Sequence, residues 1–286
     1  MKFLKNVLFR KHYILFSLIF GVLIISSCRK ENVTAPSEFT KEKREILGDL
    51  MKVSIASDMI TFPILQQSGI HDSTYWYIQK LYNQAINVLQ IDGQSPSDNR
   101  WDKTRDWKIT ILDLDAERTA FIIPGGHLYI STGLLKSLKK EYELYYILTF
   151  EAVLMNERYL LNRMINEFNT TTLNNFVVGI PTPPGSPTMV EVATMLGEIE
   201  FDEEMTFEID EQVVSLICKT SLFDRTGIVS IMDLLNPEHT KWMQTRKSYD
   251  YRNQLDYIIN LPVETGNDCG DIKALGGYQK YVLDRL

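Results

Sequence analysis

The sequence predicts a domain of mixed helices and strands that is mainly helical and has a small sheet. Short apolar runs flank the Gly-rich turn Pro124-Gly125-Gly126 and are typical of strands. Longer stretches with apolar residues at helical spacing lie on both sides of them. Residues 42–286 make up about 245 residues without a low-complexity break, which is enough for a single core.

The predicted elements follow in order along the chain. Before the turn, helices are predicted at residues 41–66 and 74–91, and a turn-rich connector at 92–98. Strands are predicted at residues 107–111, 120–123 and 129–133, and a long helix follows them. Further helices are predicted at residues 157–168, 190–196, 207–221 and 225–235, with a Pro/Gly loop at 181–187.

The N-terminus has the pattern of a bacterial lipoprotein signal peptide. Four basic residues precede an apolar run at 13–25, and Ile25-Ser26-Ser27-Cys28 ends the segment as a lipobox. This predicts a signal peptide at 1–27, acylation of Cys28 and a domain at 43–286. The polar residues 28–42 are predicted to be a flexible tether. The alternative, an uncleaved membrane anchor, is disfavoured by the short apolar run.

The predicted location is the cell envelope, with the protein held on a membrane by the lipid on Cys28. No aspartate follows Cys28, which favours the outer membrane, on either its periplasmic or its surface face. Loss of the signal peptide removes four positive charges and no acid, so the formal net charge moves from -7 to -11. A chain this acidic argues against a nucleic-acid partner, because phosphate binding needs a basic face.

Two motifs carry a family resemblance. The first runs from Thr119 to Leu135 as TAFIIPGGHLYISTGLL, and the second is the helical stretch from Glu143, ELYYILTFEAVL, with Arg158 beyond it. They resemble the family of zinc metallopeptidases that contains HtpX, BepA and the CaaX prenyl proteases. The resemblance implies an α+β, zincin-like metallopeptidase fold, mainly helical with a small sheet. It is strong over 107–158 and loose over 207–235.

The residues that bind zinc in this family are replaced. Where the family has H-E-x-x-H, with two histidines on one helix face, this chain has Phe150-Glu151-Ala152-Val153-Leu154. Neither Phe150 nor Leu154 has a lone pair for a metal. The family's third ligand is a glutamate four residues before a motif aspartate. Thr206 occupies its place if the aspartate is Asp210, and Phe207 does if the motif acid is Glu211.

Glu151 is therefore interpreted as vestigial or structural, since it has no metal-activated water to work on. The four histidines are far apart in the sequence, so no replacement zinc site is predicted, and no cofactor is expected. Zinc belongs only to the alternative that the protein is an active metalloendopeptidase with a non-standard metal site. A disulfide between Cys218 and Cys269 is left open by the sequence.

The favoured function is non-catalytic binding of polypeptides or envelope proteins, or help in their assembly. In active relatives, substrate lies along an edge strand near the Pro-Gly-Gly turn and adds to the sheet. That mode needs no zinc, so Phe121, Ile122, Ile123, Pro124, Gly125 and Gly126 are predicted as a peptide-binding edge, together with the loop at 181–187. A purely structural lipoprotein within a larger complex is a further alternative.

Overall fold

A small mixed sheet organises the domain. The computed structural model describes residues 39–91, 107–156, 159–197, 199, 201, 203–220 and 277–286. Its strands are β1 (Ile109–Leu112), β2 (Ala120–Ile123) and β3 (His127–Ser131), in the spatial order β1-β3-β2. β1 runs parallel to β3, with Ile109 opposite Leu128, whereas β2 runs antiparallel to β3, with Ile123 opposite His127.

Helices make up most of the described chain, as the sequence predicts. They are α1 (Lys41–Ser57), α2 (His71–Ile91), α3 (Thr132–Ser137), α4 (Glu141–Asn156), α5 (Tyr159–Phe168), α6 (Thr170–Val178), α7 (Met189–Leu196) and α8 (Glu203–Lys219), and a π-helical segment covers Gln279–Leu283. All belong to one unit, Ala35–Leu286. The expected α+β class, mainly helical with a small sheet, is confirmed in the described residues. No helix among them is both long and apolar enough to cross a membrane.

The prediction of one helix over residues 41–66 is wrong beyond Ser57. The chain leaves the helix there because the following segment bonds to the outer edge of β1. The Asp113 N–H donates to the Pro63 carbonyl, and the Leu65 N–H donates to the Ile111 carbonyl. Pro63 itself has no N–H and disfavours a helical residue before it.

The sequence reading also missed two short helices. α3 occupies residues that were predicted partly as strand, and it begins where the Ser131 side chain accepts a hydrogen bond from the Leu134 N–H. α6 lies between Asn169, whose side chain caps its first turn, and Gly179, which ends it in the left-handed conformation. The capping side chains of Ser131 and Asn169 and the left-handed Gly179 are ordinary signals of helix ends. The predicted helix at 225–235 and connector at 92–98 lie outside the described residues.

Side chains of α2 seal the outer edge of β1. The Gln79 side chain donates from Nε2 to the Trp107 carbonyl at 2.8 Å and accepts at Oε1 from the Ile109 N–H at 3.1 Å. Two residues further along the same edge, the Ile111 N–H donates to the Tyr75 hydroxyl at 3.0 Å. The Gln79 amide thus takes the place of a peptide group from a neighbouring strand, and satisfies backbone groups that would otherwise attract one.

Helix α1 lies directly on the turn between β2 and β3. A Cβ atom on Gly48 would stand 1.9 Å from the Pro124 carbonyl oxygen, so only glycine allows this close approach. The other buried residues of α1, among them Leu47, Met51 and Ile55, join the core. The Pro-Gly-Gly turn is consequently covered by the first helix of the domain.

Candidate functional site

Helix α4, which carries Phe150, Glu151 and Leu154, is fixed at its start. The Glu143 carboxylate accepts hydrogen bonds from the backbone N–H groups of Lys139 and Lys140, at 2.6 and 3.0 Å. The Tyr77 hydroxyl of α2 donates to the Glu141 carboxylate. Acidic side chains are favourable at a helix N-terminus, where backbone N–H groups have no partner within the helix. α4 therefore has a set position against α2 before its motif begins.

The two positions that hold histidine in the metallopeptidase family lie in the core. Phe150 and Leu154 are both buried, as are Ala152 and Val153 between them. The Phe150 ring packs against the Tyr146 ring at a centroid separation of 6.1 Å. These side chains present carbon to their surroundings and supply no electron pair for a metal.

The burial of residues on α8 distinguishes the two candidates for the position of the family's third zinc ligand. Thr206 and Asp210 are buried on the face of α8 that meets α4, whereas Phe207 is only partly buried. The Tyr146 hydroxyl of α4 donates to Asp210 Oδ1 at 2.7 Å. This arrangement favours the alignment in which Asp210 is the motif aspartate and Thr206 stands at the ligand position. A neutral threonine hydroxyl is a poor substitute for a glutamate ligand.

Glu151 is the one ionisable residue among residues 150–154, and it is completely buried. Neither of its carboxyl oxygens has a well-formed hydrogen bond within the described part of the chain. Burial raises the pKa of Glu151 well above its usual range, and the backbone of Ile122 opposes that rise only in part. Burial in this place therefore disfavours the charged form of the carboxyl group relative to an exposed glutamate.

The surroundings of Glu151 come from β2 and α2. The Ser131 N–H of β3 donates to the Thr119 carbonyl, just before β2. In an antiparallel pair only every second residue directs its N–H and C=O groups to the partner strand, counting here from Thr119. Ile122 is not one of them, so its N–H and C=O groups point to the outer edge of β2. On the α2 side, burial and then the charge of Glu151 raise the pKa of the Tyr82 hydroxyl. Glu151 thus lies between the outer edge of β2 and α2.

This donor set does not fit zinc. Phe150 and Leu154 have no ligand atoms, Thr206 offers a neutral hydroxyl, and the complete burial of Glu151 disfavours the charged form that a metal ligand needs. No group of three His, Cys, Asp or Glu side chains that could hold a metal ion occurs among the residues that the structure describes.

The predicted peptide-binding edge is closed in this conformation. Phe121, Ile122 and Ile123 have no exposed surface, Pro124 and Gly126 are buried, and Gly125 is partly buried. α1 covers the turn through Gly48, while α4 and α7 contact β2. A peptide adding to β2 has to displace part of this cover.

The predicted Pro/Gly loop, in contrast, borders an open groove of about 810 Å³. The groove lies between the loop, the end of α5 and the start of α6 and α7. Its lining includes Phe168, Asn169, Pro184, Pro187 and Met195. Both charged side chains that line it are acidic, namely Glu167 and Glu191, and Glu167 lies 3.8 Å from Arg163. The chemistry of this groove suits an extended segment with apolar and basic side chains.

The sequence predicted the Pro/Gly loop, but it did not predict the turn at Asn169 that forms another side of the groove. Asn169 has a φ of 56°, and its side chain accepts a hydrogen bond from the Thr172 N–H at 2.9 Å. That conformation turns the chain sharply from α5 into α6 and forms one side of the groove. An asparagine before Thr170-Thr171-Thr172, with Gly179 ten residues after it, is the sequence signal that could have located α6.

Cys218 on α8 is disulfide-bonded. The two other cysteines of the chain, Cys28 and Cys269, lie outside the described residues. The acylation predicted at Cys28 is not tested by the described structure and stays a prediction.

Comparison with known proteins leaves the resemblance to metallopeptidases as a prediction. The chain matches no protein-family model, and no curated protein matches it significantly.

Proposed function

We propose that this protein is a lipid-anchored cell-envelope protein with a metallopeptidase-like, zincin-type domain that binds polypeptides and does not hydrolyse them. One observation carries the proposal. The only acid of the family motif, Glu151, is completely buried, while both histidine positions hold buried apolar side chains. Recovery of hydrolysis would require three metal ligands and an ionised, accessible glutamate.

The groove beside the Pro/Gly loop is the proposed polypeptide site. It is open, whereas the edge of β2 is covered, and its volume of about 810 Å³ fits several side chains. Glu167 and Glu191 place negative charge along it, and Phe168 and Met195 supply apolar surface. The expected ligand is an extended, basic and partly apolar segment of an envelope protein. The edge from Phe121 to Gly126 is proposed as a second contact that opens only when its cover moves.

Binding is tested with the full-length protein in detergent and two unstructured peptides of equal length, one with alternating apolar and lysine residues and one with glutamate in place of lysine. We expect saturable binding of the basic peptide and weaker binding of the acidic one. Glu167→Lys should weaken binding of the basic peptide by roughly three- to tenfold at low salt, about 0.6 to 1.4 kcal/mol.

The control for this experiment is Glu211→Lys, which makes the same charge change at an exposed position of α8 outside the groove. It should leave binding within about twofold of the parent value. Equal losses in the two variants would show that net charge, and not the groove, governs binding. Peptide cleavage by zinc-loaded protein that disappears in Glu151→Gln would instead establish an enzyme.

A further inference from the structure

An apolar stripe on α1 stands out from the rest of the described surface. Ile46, Leu50 and Val53 are spaced by four and three residues, so they share one helix face, and all three are exposed. The opposite face holds Leu47, Met51 and Ile55 in the core. Just after the helix, Met59 and Ile60 are exposed as well, Ile60 at 95 %. Five large apolar side chains in fifteen residues are thus left without cover by the residues that the structure describes.

The position of this stripe in the chain suggests what covers it. We propose that the apolar stripe of α1, with Met59 and Ile60, rests in the headgroup region of the membrane that holds the lipid on Cys28. This inference rests on the lipid anchor of the proposed function. α1 is the first helix in the described part of the chain, and thirteen Cα-to-Cα steps lead from Cys28 to its start at Lys41. Even a fully extended chain of that length spans only about 45 Å.

The charge of α1 is compatible with a lipid surface. The helix contains four basic and three acidic residues, although the whole chain has a net charge of -7. One acidic residue beside the stripe, Asp49, is paired with Lys52 at 2.7 Å. A near-neutral helix with an apolar face can lie in the interface of a zwitterionic bilayer, with its apolar side chains below the headgroups. The acyl chains attach the protein, and the stripe sets the orientation of the domain.

The test uses the full-length, acylated protein in phosphatidylcholine vesicles. An environment-sensitive fluorophore is placed on Val53→Cys or Ile60→Cys under conditions that preserve the disulfide of Cys218. The control label is on Lys139→Cys, an exposed site before α4. We expect the two stripe labels to shift to shorter emission wavelengths and to be quenched by nitroxide-bearing lipids roughly twofold more than the control.

A second variant tests the stripe itself. Ile46→Glu combined with Val53→Glu changes only exposed side chains, and it should abolish the extra quenching of a label at Ile60. Mass spectrometry of the N-terminal peptide is measured on the same samples. If Cys28 is acylated and the stripe labels show the same emission and quenching as the label on Lys139→Cys, the stripe does not contact the membrane. That result overturns the inference but leaves the lipid anchor on Cys28 intact.

Two other outcomes also contradict the inference. An unmodified Cys28 overturns both the inference and the anchor of the proposed function. A blue shift without quenching by lipid nitroxides, accompanied by energy transfer between labelled copies, means that the stripe meets a second copy of the chain and not the membrane.

Discussion

The hydroxyl of Tyr146 on α4 donates a hydrogen bond of 2.7 Å to Oδ1 of Asp210 on α8, and both side chains are buried. The two residues are 64 positions apart in the chain, so this contact ties α4, which carries Phe150, to α8, which carries Thr206. It aligns Phe150 and Thr206 on the facing sides of α4 and α8.

Loss of this hydrogen bond should destabilise the protein strongly. We expect Tyr146→Phe to lower the free energy of unfolding by about 1.5 to 3 kcal/mol, because a buried carboxyl group loses a donor. Tyr278→Phe is the matched control, since its hydroxyl donates to a neutral acceptor, the Leu135 carbonyl, at 2.6 Å. It should cost about 1 kcal/mol. Denaturant unfolding measures both values, and equal losses would contradict a special role for Asp210.

The buried carboxyl group of Glu151 predicts a stability that falls as the pH rises. Its pKa is raised in the folded protein, so above about pH 4.3 the unfolded chain loses this proton while the folded protein keeps it. Folding therefore becomes less favourable with increasing pH, up to the folded pKa. Glu151→Gln copies the neutral acid and should remove this slope.

The measurement is the melting temperature of Glu151→Gln and the parent protein between pH 5 and pH 8. The variant should be progressively more stable than the parent towards pH 8, and nearly equal to it at pH 5. Glu211→Gln, at an exposed position, shows the effect of removing one surface charge. A parent protein whose advantage over Glu151→Gln grows with pH would mean that Glu151 is ionised in the folded state.

The contact between Gly48 and Pro124 predicts a reversal of the usual effect of alanine. In an exposed helix interior, Gly→Ala stabilises by about 1 kcal/mol. At Gly48 the new Cβ would stand 1.9 Å from the Pro124 carbonyl oxygen, which is backbone and has little freedom to move. We expect Gly48→Ala to destabilise by about 1 to 3 kcal/mol in denaturant unfolding. Ser54→Ala, on the same helix, is the control, and a stabilised Gly48→Ala variant would refute the close packing of α1 on the turn.

The hydrogen bonds between Gln79 and the edge of β1 predict that a substitution of Gln79 lowers stability more than a substitution of its partner Asn83. Gln79→Glu keeps an acceptor for the Ile109 N–H but loses the donor to the Trp107 carbonyl and sets a carboxylate beside that oxygen. It should cost about 1 to 3 kcal/mol in stability. Asn83→Ala removes only an exposed partner of Gln79 and should cost under about 0.5 kcal/mol. Similar costs for both would show that the amide of Gln79 does not protect the strand edge.

The family resemblance predicts that zinc binding can be rebuilt. Phe150→His, Leu154→His and Thr206→Glu together restore the ligand types of the family at the three positions. Purified triple variant should retain close to one equivalent of zinc after desalting, because a complete set of three protein ligands holds the metal tightly. In the control, Phe207→Glu replaces Thr206→Glu and should not retain zinc. Retention by the control alone would move the ligand position to residue 207, and retention by neither would argue against a zincin-like site.

The sequence predicted the sheet and its neighbouring helices well because their signals are local. Residues 120–123 form β2 as predicted, and apolar spacing placed α2 and α7 within three residues of their starts. The helix at residues 41–66 was overextended because the bonds from Pro63 and Leu65 to β1 are made with residues about fifty positions away. Apolar periodicity carries no information about such a partner.

By itself, the sequence determined which chemistry the candidate site lacks, because Phe150 and Leu154 have no ligand atoms in any fold. It also determined the strand-turn-strand unit around Pro124-Gly125-Gly126, which follows from local apolar runs and glycine. Only the tertiary structure decided that Glu151 is completely buried, which raises the pKa of its carboxyl group, and that α1 closes the turn. It likewise decided that the groove beside the Pro/Gly loop is open. These properties depend on contacts between segments distant in the chain, where packing and desolvation are set by the assembled fold.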